Sequence, residues 1–258
     1  MDSRRKSARL TGWYVISLRP VGQHAAPRRA AAAHGARLFA CSPLRLAAVP
    51  DDGALAAALA APRVIFTSPA AVRFAAAQAR LGPRAGARWY AVGAGTAAAL
   101  RRAGVAGVMA PTRMDSEGLL ALPGLDSVAG LDVGLVTAPG GRGTIAATLT
   151  RRGARVRVAR VYRREAVRLT AATRARLAAL PPPRAVLVSS GEAFAGFWSQ
   201  LDARQQRTLA TAVFVASSER LAAMLRGHGL RRVLVADSAR PRALLERLAA
   251  HAATTAFG

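Results

Sequence analysis

Hydrophobic and polar positions along the chain follow two alternating rhythms. Short continuous apolar runs recur in the first half: WYVISL (13–18), RLFA from Arg37, VIFTS (64–68), WYAVG (89–93) and VMAP (108–111). Runs of this length, rich in β-branched and aromatic residues and bounded by breakers, predict strands. Between them lie stretches with helical spacing. One spans about Gln23 to His34 and stops at Gly35, one follows Ser68, and one runs from Gly95 to Arg102 with Gly104 behind it. Another opens at the cap-like Asp115-Ser116-Glu117.

The second half replays the first. DVGLVTAP (132–139), RVRVARVY (155–162), AVLVSS (185–190), TAVFVASS (211–218) and RRVLVAD (231–237) predict strands, with helices at GTIAATLTRR and RALLERLAAHA. Gly35-Ala36-Arg37 recurs as Gly153-Ala154-Arg155, and Ser68 and Ser190 close matched strands 122 positions apart. Strands alternating with helices imply βαβ units and parallel sheets covered on both faces. The expectation is α/β, with two similar domains that arose by duplication.

The same pattern places hydroxyls where chemistry is expected. In an open parallel sheet the ligand crevice lies beyond the carboxyl ends of the strands. Thr67 and Ser68, Ser189 and Ser190, Gly93 to Thr96, and Ser217 and Ser218 all stand at strand ends that lead into helices. A hydroxyl there either caps the helix or shares its exposed N–H groups with an anionic ligand. Both readings stay open at each position.

Composition narrows the partners. Of 258 residues, 38 are basic and 13 acidic, a formal net charge of +25 that attracts anions. Lys6 is the only lysine, and an arginine- and alanine-rich chain of this kind is what a GC-rich genome writes. The arginines are scattered and not interleaved with aromatics, which argues against a nucleic-acid partner. Cys41 is the single cysteine, so no internal disulfide or cysteine-built metal site is expected. His24, His34, His228 and His251 lack metal-ligand spacing, and Glu117, Glu219 and Asp237 form no evident acid–base pair. The basic start lacks a signal-peptide core, and no apolar run reaches membrane-spanning length. A cytoplasmic protein without a membrane partner is expected.

VISLRP, VIFTSPAAVRF, YAVGAGTAAALRRAG, DSEGLLAL, GGRGTIAATLTRRGARVRVARVYRRE, VLVSSGEAF and SSERLAAMLRGHGLRRVLVAD together resemble the uroporphyrinogen-III synthase family, over about Trp13 to Leu248. The resemblance rests on the order and spacing of these stretches, since each is weak alone. It implies two α/β domains, each a parallel sheet flanked by helices, joined by a two-stranded antiparallel connector with the ligand cleft between the domains. The rhythm alone would divide the chain near Gly130. The resemblance implies instead a discontinuous domain at 1–40 and 166–258, an inserted domain at 50–153, and connector strands at 41–49 and 154–165.

The implied reaction closes the linear tetrapyrrole hydroxymethylbilane to uroporphyrinogen III, with loss of water and inversion of the last pyrrole ring, by a monomer using no cofactor and no metal. Such a substrate can also cyclise unaided to the uninverted isomer I, so the enzyme must hold one geometry. Its eight carboxylates give the basic charge a purpose. Arg19, Arg142 and Arg220 fall in family-like stretches, where each either contacts a carboxylate or is a solvated surface arginine. Tyr162 matches the tyrosine of the second connector, which either assists departure of the hydroxyl or packs at a domain junction. Thr96 matches the threonine of a VG-x-x-T pattern. Leu221 stands where a second threonine is usual, leaving Ser218 and Arg220 as candidates there. The implied substrate-binding set is Arg19, Thr67, Ser68, Gly93, Thr96, Arg142, Ser189, Ser190, Gly191, Ser218 and Arg220, with Tyr162 catalytic. The rival is a two-lobed protein that binds small anions or tetrapyrroles without catalysis. APGGRGT (138–144) has the strand–loop–helix context of a phosphate loop but lacks its lysine.

Overall fold

A computed structural model of the chain describes residues 10–50, 52–82, 86–113, 115–140 and 143–255. In chain order the elements are β1 (Tyr14–Ser17), α1 (Ala25–Ala33), β2 (Arg37–Ala40), β3 (Leu44–Ala48), α2 (Ala54–Ala60), β4 (Arg63–Phe66), α3 (Pro69–Ala76), β5 (Arg88–Ala91), α4 (Ala94–Arg102) and α5 (Ser116–Leu120). There follow β6 (Asp132–Thr137), α6 (Thr144–Arg151), β7 (Arg155–Arg160), β8 (Tyr162–Ala166), α7 (Ala171–Ala178), β9 (Arg184–Val188), α8 (Gly191–Trp198) and α9 (Ala203–Ala210). The chain closes with β10 (Val213–Ala216), α10 (Glu219–Gly227), β11 (Val233–Val235) and α11 (Pro241–Thr255).

Two compact units result, one from Met1–Arg45 with Glu165–Gly258 and one from Leu46–Arg164. The first holds a parallel sheet in the order β11-β10-β9-β1-β2; the second holds a parallel sheet in the order β5-β4-β6-β7. Strands β3 and β8 form a separate two-stranded antiparallel sheet. The fold is thus α/β with two parallel sheets and an antiparallel pair.

Each sheet is apolar on both faces because successive residues of a strand point to opposite sides. In the first unit Ile16, Val186, Val188 and Phe214 enter one core, while Val15, Ala185, Leu187 and Val215 enter the other. In the second unit Val64, Phe66 and Val136 face one core, and Ile65, Val133 and Leu135 face its opposite. Gly134 is required where β6 passes α2: a Cβ there would lie 1.9 Å from the Ala58 carbonyl oxygen.

Three expectations need correction. The run 155–162 is not one strand. Its first six residues form β7 at the edge of the second unit's sheet, and Tyr162 already belongs to β8. The break falls at Val161, whose N–H donates to Thr137 while its carbonyl accepts from Val49, so one residue serves two sheets. The VMAP stretch makes only a single bridge, Met109 with Tyr90, rather than a strand. Helices α2, α7 and α9 add to the elements that the apolar rhythm predicts. Helix α2 reads ALAAALA, and such a run offers no apolar–polar period to detect.

Candidate active site

Each sheet has a point where successive connections leave in opposite directions, and such a point opens a crevice at the carboxyl ends of the strands. In the second unit β4 leads by α3 to β5 on one side, whereas β6 leads by α6 to β7 on the other. The switch therefore lies between β4 and β6. A cavity of about 490 Å³ opens there, with Thr67, Ser68 and Tyr162 among its lining and Arg160 and Arg164 on its wall.

The residues just past β4 are committed to one another. Ser68 caps α3, its Oγ accepting the Ala71 N–H at 3.0 Å, with Pro69 in the first turn where its missing N–H costs nothing. The same Oγ lies 3.1 Å from the Tyr162 hydroxyl. Thr67 Oγ1 donates to Thr137 Oγ1 at 2.9 Å and lies 3.5 Å from the Val136 carbonyl oxygen, tying β4 to β6 at the head of the cavity. Tyr162 is 4% exposed, and its ring stacks on Phe74 at 5.3 Å and 17°. Its hydroxyl is held from one side by Ser68 and its ring from the other by α3.

The start of α6, which also lines the cavity, differs from that of α3. Gly143, at φ +69°, stands where α6 begins, and among the described residues no side chain caps that helix. Its first N–H groups and the positive end of its dipole thus remain for an anion. Arg164 Nη1 donates to the Pro139 carbonyl at 3.2 Å, which holds the guanidinium near the end of β6. At the rim Asp115 caps α5. The Gly118 N–H, then Arg113, keep its carboxyl below the usual range, so it stays ionised and paired.

In the first unit β1 leads by α1 to β2, and β9 leads by α8 toward β10 on the opposite side, so the switch lies between β1 and β9. Ser17, Arg19 and Ser189 share a narrow recess there. Arg19 is half-buried, burial lowers its pKa, and its Nη2 reaches the Ala239 carbonyl only at 3.4 Å. Ser190 caps α8 through Ala193 N–H at 3.2 Å, and Ser218 caps α10 through Leu221 N–H at 3.4 Å.

A family model described as uroporphyrinogen-III synthase HemD matches residues 27–246. The chain belongs to the uroporphyrinogen-III synthase family. It is 35% identical over 162 residues to the uroporphyrinogen-III synthase of Escherichia coli (strain K12), a stretch covering 62% of this chain and 66% of that protein. It is 34% identical over 190 residues to that of Salmonella typhimurium, covering 72% and 77%. The alignment thus spans just under two thirds of the Escherichia coli protein. Two solved structures share the fold. A mutant uroporphyrinogen III synthase from the extremely thermophilic bacterium Thermus thermophilus superposes with a TM-score of 0.58 at 19% identity, covering 94% of this chain and 99% of that one. The uroporphyrinogen-III synthetase of Helicobacter pylori 26695 gives 0.59 at 15%, covering 92% and 98%.

Within this member of the uroporphyrinogen-III synthase family, the candidate residues fall into three groups. Thr67, Ser68 and Tyr162 meet at one cavity, and Arg19 and Ser189 meet at one recess. Ser190 and Ser218 act as helix caps, Arg220 is exposed beside the second of them, and Gly191 packs its Cα face toward Met224 and Leu221 of α10. Thr96 is 4% exposed inside α4 and Gly93 precedes that helix; neither lines the cavity. Arg142 lies outside the described residues. Sequence reasoning missed Arg160 and Arg164 because it took their segment as connector; their place beside Tyr162 was the available signal. Among the described residues no three His, Cys, Asp or Glu side chains cluster to hold a metal, and no helix is long and apolar enough to cross a membrane.

Proposed function

We propose that this chain cyclises hydroxymethylbilane to uroporphyrinogen III, inverting the last pyrrole ring and releasing water. The observation that carries the proposal is the Tyr162 hydroxyl, fixed by Ser68 at a cavity whose lining also includes Arg160, Arg164 and the start of α6, which no side chain of its N-cap residue caps. The arginines and helix start take substrate carboxylates, and the phenol faces the reacting end. Either hydroxyl can donate across the Ser68–Tyr162 contact; with Ser68 as the donor, the phenolic proton is left for the substrate.

In this reading the hydroxymethyl C–O bond breaks with electrons from the adjacent pyrrole nitrogen. Tyr162 donates a hydrogen bond to the departing oxygen, which leaves as water. The freed carbon then bonds to the terminal pyrrole at the α-carbon that already carries its bridge. That bridge bond breaks, its methylene carbon re-bonds at the ring's free α-carbon, and the proton lost there balances the step. Assistance of this kind contributes about 10²–10⁴-fold. Selection of the inverted product comes from holding the ends of the chain in one orientation. The same reading takes the chain as a cytoplasmic monomer that needs no cofactor or metal and has no nucleic-acid partner.

The test is to mix the protein with freshly made hydroxymethylbilane and resolve the product isomers. Isomer III is expected. Isomer I alone, at the unassisted rate, would mark a binding protein and overturn the proposal. Rising salt should weaken substrate binding, because exposed arginine–carboxylate attraction is screened.

A further inference from the structure

The first unit carries a side-chain cluster that the proposed chemistry does not use. His24 stands in the turn between β1 and α1 with each ring nitrogen on a serine: Nδ1 lies 3.1 Å from Ser17 Oγ and Nε2 lies 2.7 Å from Ser42 Oγ. Ser17 ends β1 and Ser42 follows β2, so the imidazole bridges the carboxyl ends of two paired strands. Ser17 is 1% exposed and lines the same recess as Arg19 and Ser189, at the switch point of this sheet. Arg19 has five N–H donors and, among the described residues, makes one long hydrogen bond. A half-buried guanidinium so lightly engaged is ready for an anion.

Proton counting shows what the cluster can do. A neutral imidazole has one N–H and one lone pair, so one serine must spend its hydroxyl proton on the ring. A protonated imidazole donates from both nitrogens. Both serines then accept from the ring, and both hydroxyl protons turn outward as donors. In the protein by itself that state is disfavoured: burial, then Arg28 and Arg19, push the His24 pKa below its ordinary value. The groups acting on the ring are thus two cations, Arg28 on α1 and Arg19 in its own loop, and two hydroxyls, Ser17 from β1 and Ser42 beyond β2. Neither cation stabilises the imidazolium, and no anion stands in this set to offset them. A carboxylate seated on Arg19 would stabilise it, by offsetting the Arg19 repulsion and accepting from the freed Ser17 hydroxyl that shares its recess.

We propose that Ser17, His24, Ser42 and Arg19 form a proton-linked carboxylate subsite, in which one carboxylate docks on Arg19 and His24 takes up one proton from solvent as it does. This deepens the reading of the chain as an enzyme of a polycarboxylate and rests on it for the ligand class. It adds His24 and Ser42 to the binding residues and predicts that affinity rises as pH falls.

Uroporphyrin III, a stable octacarboxylate, is the probe. Proton NMR resolves the His24 Cε1–H signal, assigned by its loss in His24→Gln or by the losses in variants of the other three histidines. Its midpoint should lie below the ordinary histidine value in the free protein and rise by about one unit or more with probe bound. That corresponds to about tenfold tighter binding on the acid side. Calorimetry at about pH 6.5, near the ordinary histidine value, in two buffers of different ionisation heat should show proton uptake, which His24→Gln abolishes. Arg19→Gln should raise the free midpoint and shrink the shift on binding. Bound probe with His24 unmoved overturns the inference, as does failure of the probe to bind. Formation of isomer III is read separately. Isomer III with an unmoved His24 sinks only the subsite, and a shifted His24 with isomer I alone sinks only the enzymatic reading.

Discussion

Replacing Tyr162 with phenylalanine separates packing from chemistry more cleanly than any other change in the molecule. The ring is 4% exposed and stacked on Phe74 at 5.3 Å, contacts that phenylalanine keeps. What disappears is one hydroxyl and its 3.1 Å hydrogen bond to Ser68. Ser68 retains the Ala71 N–H, so no buried serine oxygen is orphaned. The stability cost should therefore be that of one net hydrogen bond, about 0.5–1.5 kcal/mol. If the phenol assists departure of the substrate hydroxyl, the barrier rises by more: a 10²–10⁴-fold loss is about 3–5 kcal/mol. The unassisted route to isomer I continues meanwhile, so the isomer III fraction should fall along with the rate. The assay is product resolution at equal folded concentration, with denaturation curves run on the same samples. Ser68→Ala should cost about 1 kcal/mol as a lost cap and also lower the isomer III fraction, since it frees the phenol to turn. Thr96→Val, inside α4 and away from the cavity lining, is the control and should keep the wild-type ratio. A Tyr162→Phe protein with the wild-type rate and isomer ratio would refute the catalytic role and leave positioning alone.

Gly134→Ala places a Cβ against the Ala58 carbonyl oxygen, a backbone atom that cannot turn aside. A loss of about 3 kcal/mol or more is expected, visible as a fall of roughly 6–12 °C in the thermal midpoint. The carboxyls of Asp115, Asp126 and Asp132 are held below their ordinary range, by the Gly118 N–H first, the Gly124 N–H first and Arg155 first, respectively. Depressed carboxylates stabilise the fold above their unfolded values and stop doing so as pH falls through the folded ones. Denaturation curves should thus weaken progressively below about pH 4, and Asp132→Asn should flatten part of that slope. The Cys41 thiol, 1% exposed and pushed up to about 12 by burial, should resist a disulfide reagent in mildly alkaline buffer and titrate fully in denaturant.

Much of this architecture was legible in the chain itself. Strands buried on both faces must be apolar throughout, and VIF, AVLV and VFVA announced themselves for that reason. Serines placed between a strand and a helix became caps at Ser68, Ser190 and Ser218, because a helix start leaves N–H groups that a short hydroxyl can satisfy within three residues. Both are local or periodic effects, and a one-dimensional pattern records them.

What the pattern does not record is which distant residues share a space. Tyr162 lies 94 positions from Ser68 and meets it only because β7 ends just before Val161 and the chain passes to a second sheet within one residue. Arg160 and Arg164 flank that crossing and reach the cavity by the same turn. His24 looked like an isolated histidine until β1 and β2 paired in register and set Ser17 and Ser42 on either side of its ring. Sheet order, too, is decided by tertiary packing: the reversal of connections between β4 and β6, and between β1 and β9, opens the two recesses. Local propensity made the strands and caps of this protein, and the crossings between strands made its candidate sites.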